Sequence, residues 1–268
     1  MNECNILRKP VRSLFFPIIF FFFLIPFFIP VARITGQGSL TLDEIWIRDP
    51  NIIHYNGTYY MTGTTTGDGF LGYSSTDLVH WEAQGYIYQR NSSSIWALQY
   101  FWAPEMVYKN GSFFLFFTAN SSTYKRATGV AIADNPMGPY TDLCTNPLTP
   151  PEWECLDGHL FTDNDGKEYL IFVHEWTDAE FGEMWMQEIS SDYTSLVGEK
   201  TYLFKGTDAS WSNIVVDGPS MLYKDGIYYL FWSSFGKRGY NVGYAYADEL
   251  NGPYFQSKHV VIQDDGGA

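Results

Sequence analysis

Aromatic and aliphatic residues fall in short, strand-length runs along this chain, and each run is entered from a polar turn. Four of these runs share one design: an acidic residue, an apolar stretch, an Asn-Gly or Asp-Gly pair, and a second aromatic stretch. The copies are Asp49 leading into NIIHYNGTYYMTGT, Glu105 into MVYKNGSFFLFFT, Asp157 into GHLFTDNDGKEYLIFV, and Asp217 into GPSMLYKDGIYYLFWS. Asn-Gly and Asp-Gly between alternating apolar runs predict tight hairpins, because both central residues of a type I′ turn need positive φ. The turn glycines, Gly57, Gly111, Gly166 and Gly226, recur every 54 to 60 residues, near the length of a propeller blade.

Each copy continues into a third strand (GFLGYSSTDLVHW, TGVAIADNP, MWMQEISSDYTSL, NVGYAYADELNGPY) and a more variable fourth, such as AQGYIYQ or EKTYLFKG. Four antiparallel strands per unit make a propeller blade. No segment carries a long helical period, and no low-complexity linker divides the chain. The expectation is an all-β, single-domain propeller over residues 39–268, its blades starting near Ile45. The tail SKHVVIQDDGGA reads as the approach to a further inner strand. The fold expected is therefore a five-bladed β-propeller truncated after four blades. Inner strands of a propeller converge on one axis, so the acidic residue of each copy is placed to reach a common channel mouth.

Composition narrows the partners. The chain has 268 residues, 46% apolar and 19% aromatic, with a net charge of −14. Strand packing accounts for most of the aromatic content, and sugar stacking is its functional counterpart. The acidic balance argues against nucleic acid and anionic membrane surfaces, which need basic patches. Residues 1–38 read as a targeting segment plus lead-in: Arg8, Lys9 and Arg12 precede the uncharged run Ser13–Ala32. This is a secretory signal peptide or, over residues 13–32, a membrane anchor. Pro17, Pro26 and Pro30 weigh against the anchor helix, and membrane contact follows only if the segment stays uncleaved. The sequons at Asn56, Asn91, Asn110 and Asn120 also point to a secreted glycoprotein. Cys144 and Cys155 could pair across a short loop. No Cys/His cluster suggests zinc, so neither metal nor cofactor is expected.

The segments RDPNI (Arg48 to Ile52), FWAPEM (Phe101 to Met106), LDGHLFTDNDGKEYL (Leu156 to Leu170) and DGPSMLYKDGIYYLFWSSF (Asp217 to Phe235) together resemble glycoside hydrolase family 43. The resemblance covers roughly residues 45 to 264, and its strength is four motifs in order at the same place in each repeat. It implies a five-bladed propeller enzyme acting on arabinan, xylan and related glycans, with an oligo- or polysaccharide as partner. It also implies three roles: Asp49 as general base, Asp157 as the residue that orients the acid and tunes its pKa, and Asp217 as general acid. The family usually has Glu where this chain has Asp217, in a Glu-Gly-Pro motif. Aspartate is one methylene shorter, so Glu175, in VHEW, is the alternative acid. The family's last blade usually carries a Gly-Gly-His-Gly motif, and this chain reads Gly266-Gly267-Ala268 there.

Inverting glycosidases need one carboxylic acid at the leaving oxygen and one carboxylate that activates water on the opposite face. A third carboxylate nearby raises the pKa of the acid by like-charge repulsion. Glu105 reads as a substrate-binding or channel-wall carboxylate. Trp46, Trp102 and Phe235 flank the acidic positions as candidate sugar-stacking residues, with blade packing as their other role. His159 shares a strand face with Asp157 and is a candidate substrate contact. The activity expected is that of an α-L-arabinofuranosidase or β-xylosidase. Two alternatives stand beside it. One is a retaining β-fructofuranosidase-like hydrolase, suggested by Arg48-Asp49-Pro50-Asn51 and Glu154-Cys155. The other is a secreted carbohydrate-binding pseudoenzyme, suggested by Asp217 in place of Glu.

Overall fold

The computed structural model describes residues 39–237 and 239–263, so residues 1–38, predicted as a targeting segment, and the last five residues lie outside it. Its strands form four antiparallel sheets in sequence order, each a blade. Blade 1 comprises β1 (Arg48–Tyr55), β2 (Thr58–Thr64), β3 (Gly69–Ser75) and β4 (Glu82–Gln89). Blade 2 comprises β5 (Gln99–Lys109), β6 (Ser112–Asn120), β7 (Ala127–Ala133) and β8 (Thr141–Asp142). Blade 3 comprises β9 (Cys155–Thr162), β10 (Glu168–His174), β11 (Glu183–Ile189) and β12 (Leu196–Lys205). Blade 4 comprises β13 (Asp217–Lys224), β14 (Ile227–Gly236), β15 (Gly239–Ala247) and β16 (Phe255–Gln256), with β17 (Ile262–Gln263) also paired to β15. This is the propeller arrangement predicted, with four blades among the described residues.

Three of the four predicted hairpins have the expected turn. Asn56-Gly57, Asn110-Gly111 and Asp225-Gly226 each place both residues at positive φ, and the flanking residues pair directly. The third differs. Thr162 pairs with Glu168 across residues 163–167, and only Gly166 has positive φ. The extra residues before Asp165-Gly166 relieve the need for two left-handed residues in succession.

Apolar side chains fill the spaces between blades. Phe70, Tyr88, Phe101, Met106 and Phe117 pack between blades 1 and 2. Phe116, Leu160, Leu170 and Phe172 pack between blades 2 and 3, and Ile171, Met184, Leu230 and Trp232 between blades 3 and 4. The outer face of blade 1 is closed by the lead-in, where Ile45 joins Met61, Tyr73 and Trp81. The far face of blade 4 keeps Leu222, Tyr246 and Phe255 exposed.

Close approach fixes some residue choices. A Cβ at Gly129 of β7 would stand 2.2 Å from Cζ2 of Trp96, which is itself 2% exposed. Gly129→Ala is expected to lose about 1–3 kcal/mol of stability, the usual range for overpacking. Urea denaturation measures it, and an unchanged midpoint would contradict this packing.

The Cys144–Cys155 bridge is not formed. Cys155 carries a free thiol, wholly buried at the start of β9. Its sulfur interacts with Thr149, and burial pushes the thiol pKa far up, so it packs as a small apolar group.

Candidate active site

The inner strands β1, β5, β9 and β13 neighbour one another in turn. Each kinks near its start at a residue in the left-handed region: Asp49 (φ 48°), Ala103 (φ 42°), Asp157 (φ 57°) and Gly218 (φ 54°), with β5 carrying a second such residue at Tyr100 (φ 55°). The pairing register breaks at the same place in every blade. An extra residue at such a bulge re-aims a side chain, and three non-glycine residues held there mark backbone strain of the kind found at functional sites.

The register corrects the repeat as read from sequence. The residues that correspond are Asp49, Ala103, Asp157 and Gly218, so Glu105 lies two positions past the kink and Asp217 one before it. The acidic residues are therefore not structurally equivalent in all four copies. Asp49, Asp157 and Asp217 still converge, lining one cleft of about 320 Å³ together with Tyr240. An adjoining hollow of about 290 Å³ shares these residues and adds Arg48, Trp102, Glu175 and Phe235.

Glu105 and His159 line the floor of the cleft, but their polar atoms are engaged between blades. The backbone N–H of Met221 donates to Nε2 of His159 at 3.0 Å. That leaves Nδ1 as the protonated nitrogen, donating to Oε1 of Glu105 at 2.8 Å. Oε2 of Glu105 accepts the Leu160 N–H at 2.9 Å. Between blades 1 and 2 the Asn51 side chain makes the equivalent tie, its Oδ1 accepting the Met106 N–H at 3.0 Å. These residues join each inner strand to the next. Direct substrate contact, expected of Glu105 and His159, would compete with those bonds.

Trp102 and Phe235 sit in the wall of the adjoining hollow. The Arg126 guanidinium lies over the Trp102 ring, 5.4 Å from its centroid, and the Phe235 ring meets Tyr240 edge-on at 4.9 Å. Trp46 is 89% exposed and lines neither hollow. It belongs to the lead-in, before β1 begins.

The three aspartates differ in surroundings. Asp49 is exposed, and its Oδ2 accepts the Thr64 hydroxyl at 2.5 Å. Asp157 is half-buried, and its Oδ2 accepts the Gly218 N–H at 2.9 Å. Burial first, and then the Asp217 charge, hold the Asp157 carboxyl well above the usual carboxylate range. Asp217 accepts the Tyr240 hydroxyl on Oδ2 at 2.6 Å. Burial pushes its carboxyl up to about 6, with Glu175 and Asp49 adding to the rise while Tyr240 and Arg126 oppose it.

Glu175 lies one residue beyond β10, buried in the wall. Its Oε2 receives both Nε (2.8 Å) and a terminal nitrogen of Arg126. Arg126 and Tyr240 are the site residues that sequence reasoning missed. Arg126 stands 49 residues from Glu175 in an ordinary polar stretch, and Tyr240 sits in a run of strand tyrosines, so neither is marked by spacing. Among the described residues no group of His, Cys, Asp and Glu is arranged to hold a metal ion.

Comparison with known proteins shows the family and the fold. The model of the family described as glycosyl hydrolases family 43 matches residues 44–266. An endo-arabinase structure from Bacteroides thetaiotaomicron superposes with a TM-score of 0.81 at 31% identity, covering 86% of each chain. A β-D-galactofuranosidase of Aspergillus niger is 28% identical over 275 residues, spanning 90% of this chain and 76% of that protein. A xylan 1,3-β-xylosidase of a Vibrio species is 29% identical over 222 residues, covering 77% of this chain and 40% of the enzyme.

Proposed function

The chain belongs to glycosyl hydrolase family 43, and from that premise we propose that it hydrolyses arabinose- or xylose-containing glycans with inversion, as an α-L-arabinofuranosidase or β-xylosidase. The observation that carries the reading is the contrast between an exposed Asp49 and a half-buried Asp217 on one cleft.

Asp49, open to solvent, is the base that takes a proton from the attacking water. Asp217, its carboxyl raised to about 6, is the acid that protonates the leaving oxygen. Asp157 and Asp217 are buried together and hold one proton between them, and the Gly218 N–H donated to Asp157 favours its charged form, which leaves that proton to Asp217. Trp102 and Phe235 supply apolar walls for the sugar. Glu175 is the weaker candidate for the acid. Its Oε2 is engaged by two nitrogens of Arg126, so the carboxyl is held against the wall rather than presented to a leaving oxygen. The retaining fructofuranosidase reading and the binding-only reading lose ground to the family match and to a site holding both a raised and an exposed carboxyl. The uncharged run after Arg12 favours export to meet polymeric substrate outside the cell.

The choice of acid is settled by leaving-group dependence. Asp217→Asn and Glu175→Gln are assayed on glycosides with poor and with activated leaving groups. An activated leaving group departs without protonation, so loss of the acid is felt only on the poor one. Asp217→Asn is expected to show that selective loss, roughly 100- to 10,000-fold, the usual worth of a general acid. The same selectivity in Glu175→Gln alone would move the role to Glu175.

The pH profile gives a second test. Turnover needs Asp217 protonated, so kcat/KM is expected to fall as pH rises through about 6. An upper limb above pH 8 would contradict this assignment.

A further inference from the structure

The kinked residues of successive inner strands are not all held in the same way. In blade 2 the Ala103 N–H donates to the Thr64 hydroxyl of blade 1 at 2.8 Å. In blade 3 the Asp157 N–H donates to the Thr118 hydroxyl of blade 2 at 2.9 Å. Thr64 pairs with Arg48 and Thr118 with Trp102, the residue just before the kink. The residue at that register in blade 3 is Val173, which pairs with Leu156 and is fully buried. Valine matches threonine in shape but offers no acceptor. The next kink residue, Gly218, gives its N–H to Oδ2 of Asp157 instead.

Resting on the function proposed above, we infer that Val173 is a positioning residue: by withholding a hydroxyl it leaves the Gly218 N–H to the Asp157 carboxylate, which keeps negative charge on Asp157 and the proton on Asp217. Asp157 is otherwise surrounded by groups that disfavour its charge or belong to the same network: Asp217, Asp49, Glu175 and the Tyr240 hydroxyl, with Arg126 acting on Asp217. The Gly218 N–H is the hydrogen bond that favours the charged form of Asp157. Two close carboxyls that share a proton place it according to such local bonds. Moving this donor to another acceptor shifts the proton from Asp217 toward Asp157 and disarms the acid.

The test is Val173→Thr, which restores the hydroxyl seen in blades 1 and 2. In a crystal structure of the variant, Gly218 N is expected within about 3.2 Å of the introduced hydroxyl and parted from Asp157. Turnover of glycosides with poor leaving groups is expected to fall about 10- to 100-fold, the worth of a hydrogen bond to a charged group, with KM nearly unchanged. Activated aryl glycosides are expected to react almost as before, and the upper pH limb to move down by about one unit. Val173→Ala, which removes bulk without adding an acceptor, is expected to lose stability yet keep the wild-type limb. Should Val173→Thr not fold, Val173→Ser carries the same hydroxyl with Val173→Ala as its size control. A hydroxyl variant that retains the Asp157–Gly218 bond, or that has the wild-type pH profile and leaving-group dependence, would overturn the inference. Failure of the wild type on every glycoside would instead defeat the proposed function, and the crystal structure would still decide which acceptor Gly218 takes.

Discussion

Asp49→Asn is expected to lower kcat about 1,000-fold or more while leaving KM within a few-fold and the fold intact. The side chain stands at the kink of β1, exposed at the mouth, where water can reach it. Asparagine has nearly the same shape, tolerates the left-handed backbone, and its carbonyl can still accept the Thr64 hydroxyl. What it cannot do is take a proton. A positioned base is worth roughly 100- to 10,000-fold, and the upper end of that range fits a reaction in which water must be activated on one defined face. Steady-state kinetics with circular dichroism checks this. A folded variant with wild-type kcat would remove Asp49 from the mechanism.

Asp217→Asn is expected to trade turnover for stability. The Asp217 carboxyl titrates near 6 in the folded protein, above the ordinary 3.8. Its protonation therefore stabilises the fold fully below about pH 4, and that contribution fades as pH rises through 6. At pH 7.5 the native protein holds a buried charge beside Asp157, Asp49 and Glu175. Removing it should stabilise the variant by about 3 kcal/mol relative to wild type at pH 7.5, and by almost nothing at pH 3.5, since each pK unit is worth 1.36 kcal/mol. Denaturation at the two pH values measures the difference. Equal stability shifts at both would mean that Asp217 is not raised. The same variant should lose turnover on poor leaving groups, so the site carries a cost in stability for the sake of its chemistry.

Much of the fold was legible because its signals are local. Asn56-Gly57, Asn110-Gly111 and Asp225-Gly226 specify their turns within two residues, and those turns set the blade period. The positions of Asp49, Asp157 and Asp217 were legible through motifs that lie next to the kinks. The offset of Glu105 was not, because the bulge that separates Ala103 from Glu105 is set by pairing with β6 and by the Thr64 hydroxyl of another blade. The same holds for His159, whose role as an inter-blade tie depends on a backbone N–H 62 residues away. Arg126, next to β7, and Tyr240, on β15, acquire their roles only when distant strands meet at the mouth. Trp46 was read as a sugar platform from its nearness to Asp49 in sequence, and it is exposed in the lead-in without lining either hollow.

The anomeric configuration of the first-formed product tests the central claim most directly. Wild-type protein is incubated with aryl arabinofuranoside, xyloside and galactofuranoside, and the anomeric proton is followed by NMR before mutarotation. An exposed base and a raised acid flanking an activated water predict a product of inverted configuration from at least one of these sugars. A product of retained configuration, or no hydrolysis of any of them by well-folded protein, would contradict the account.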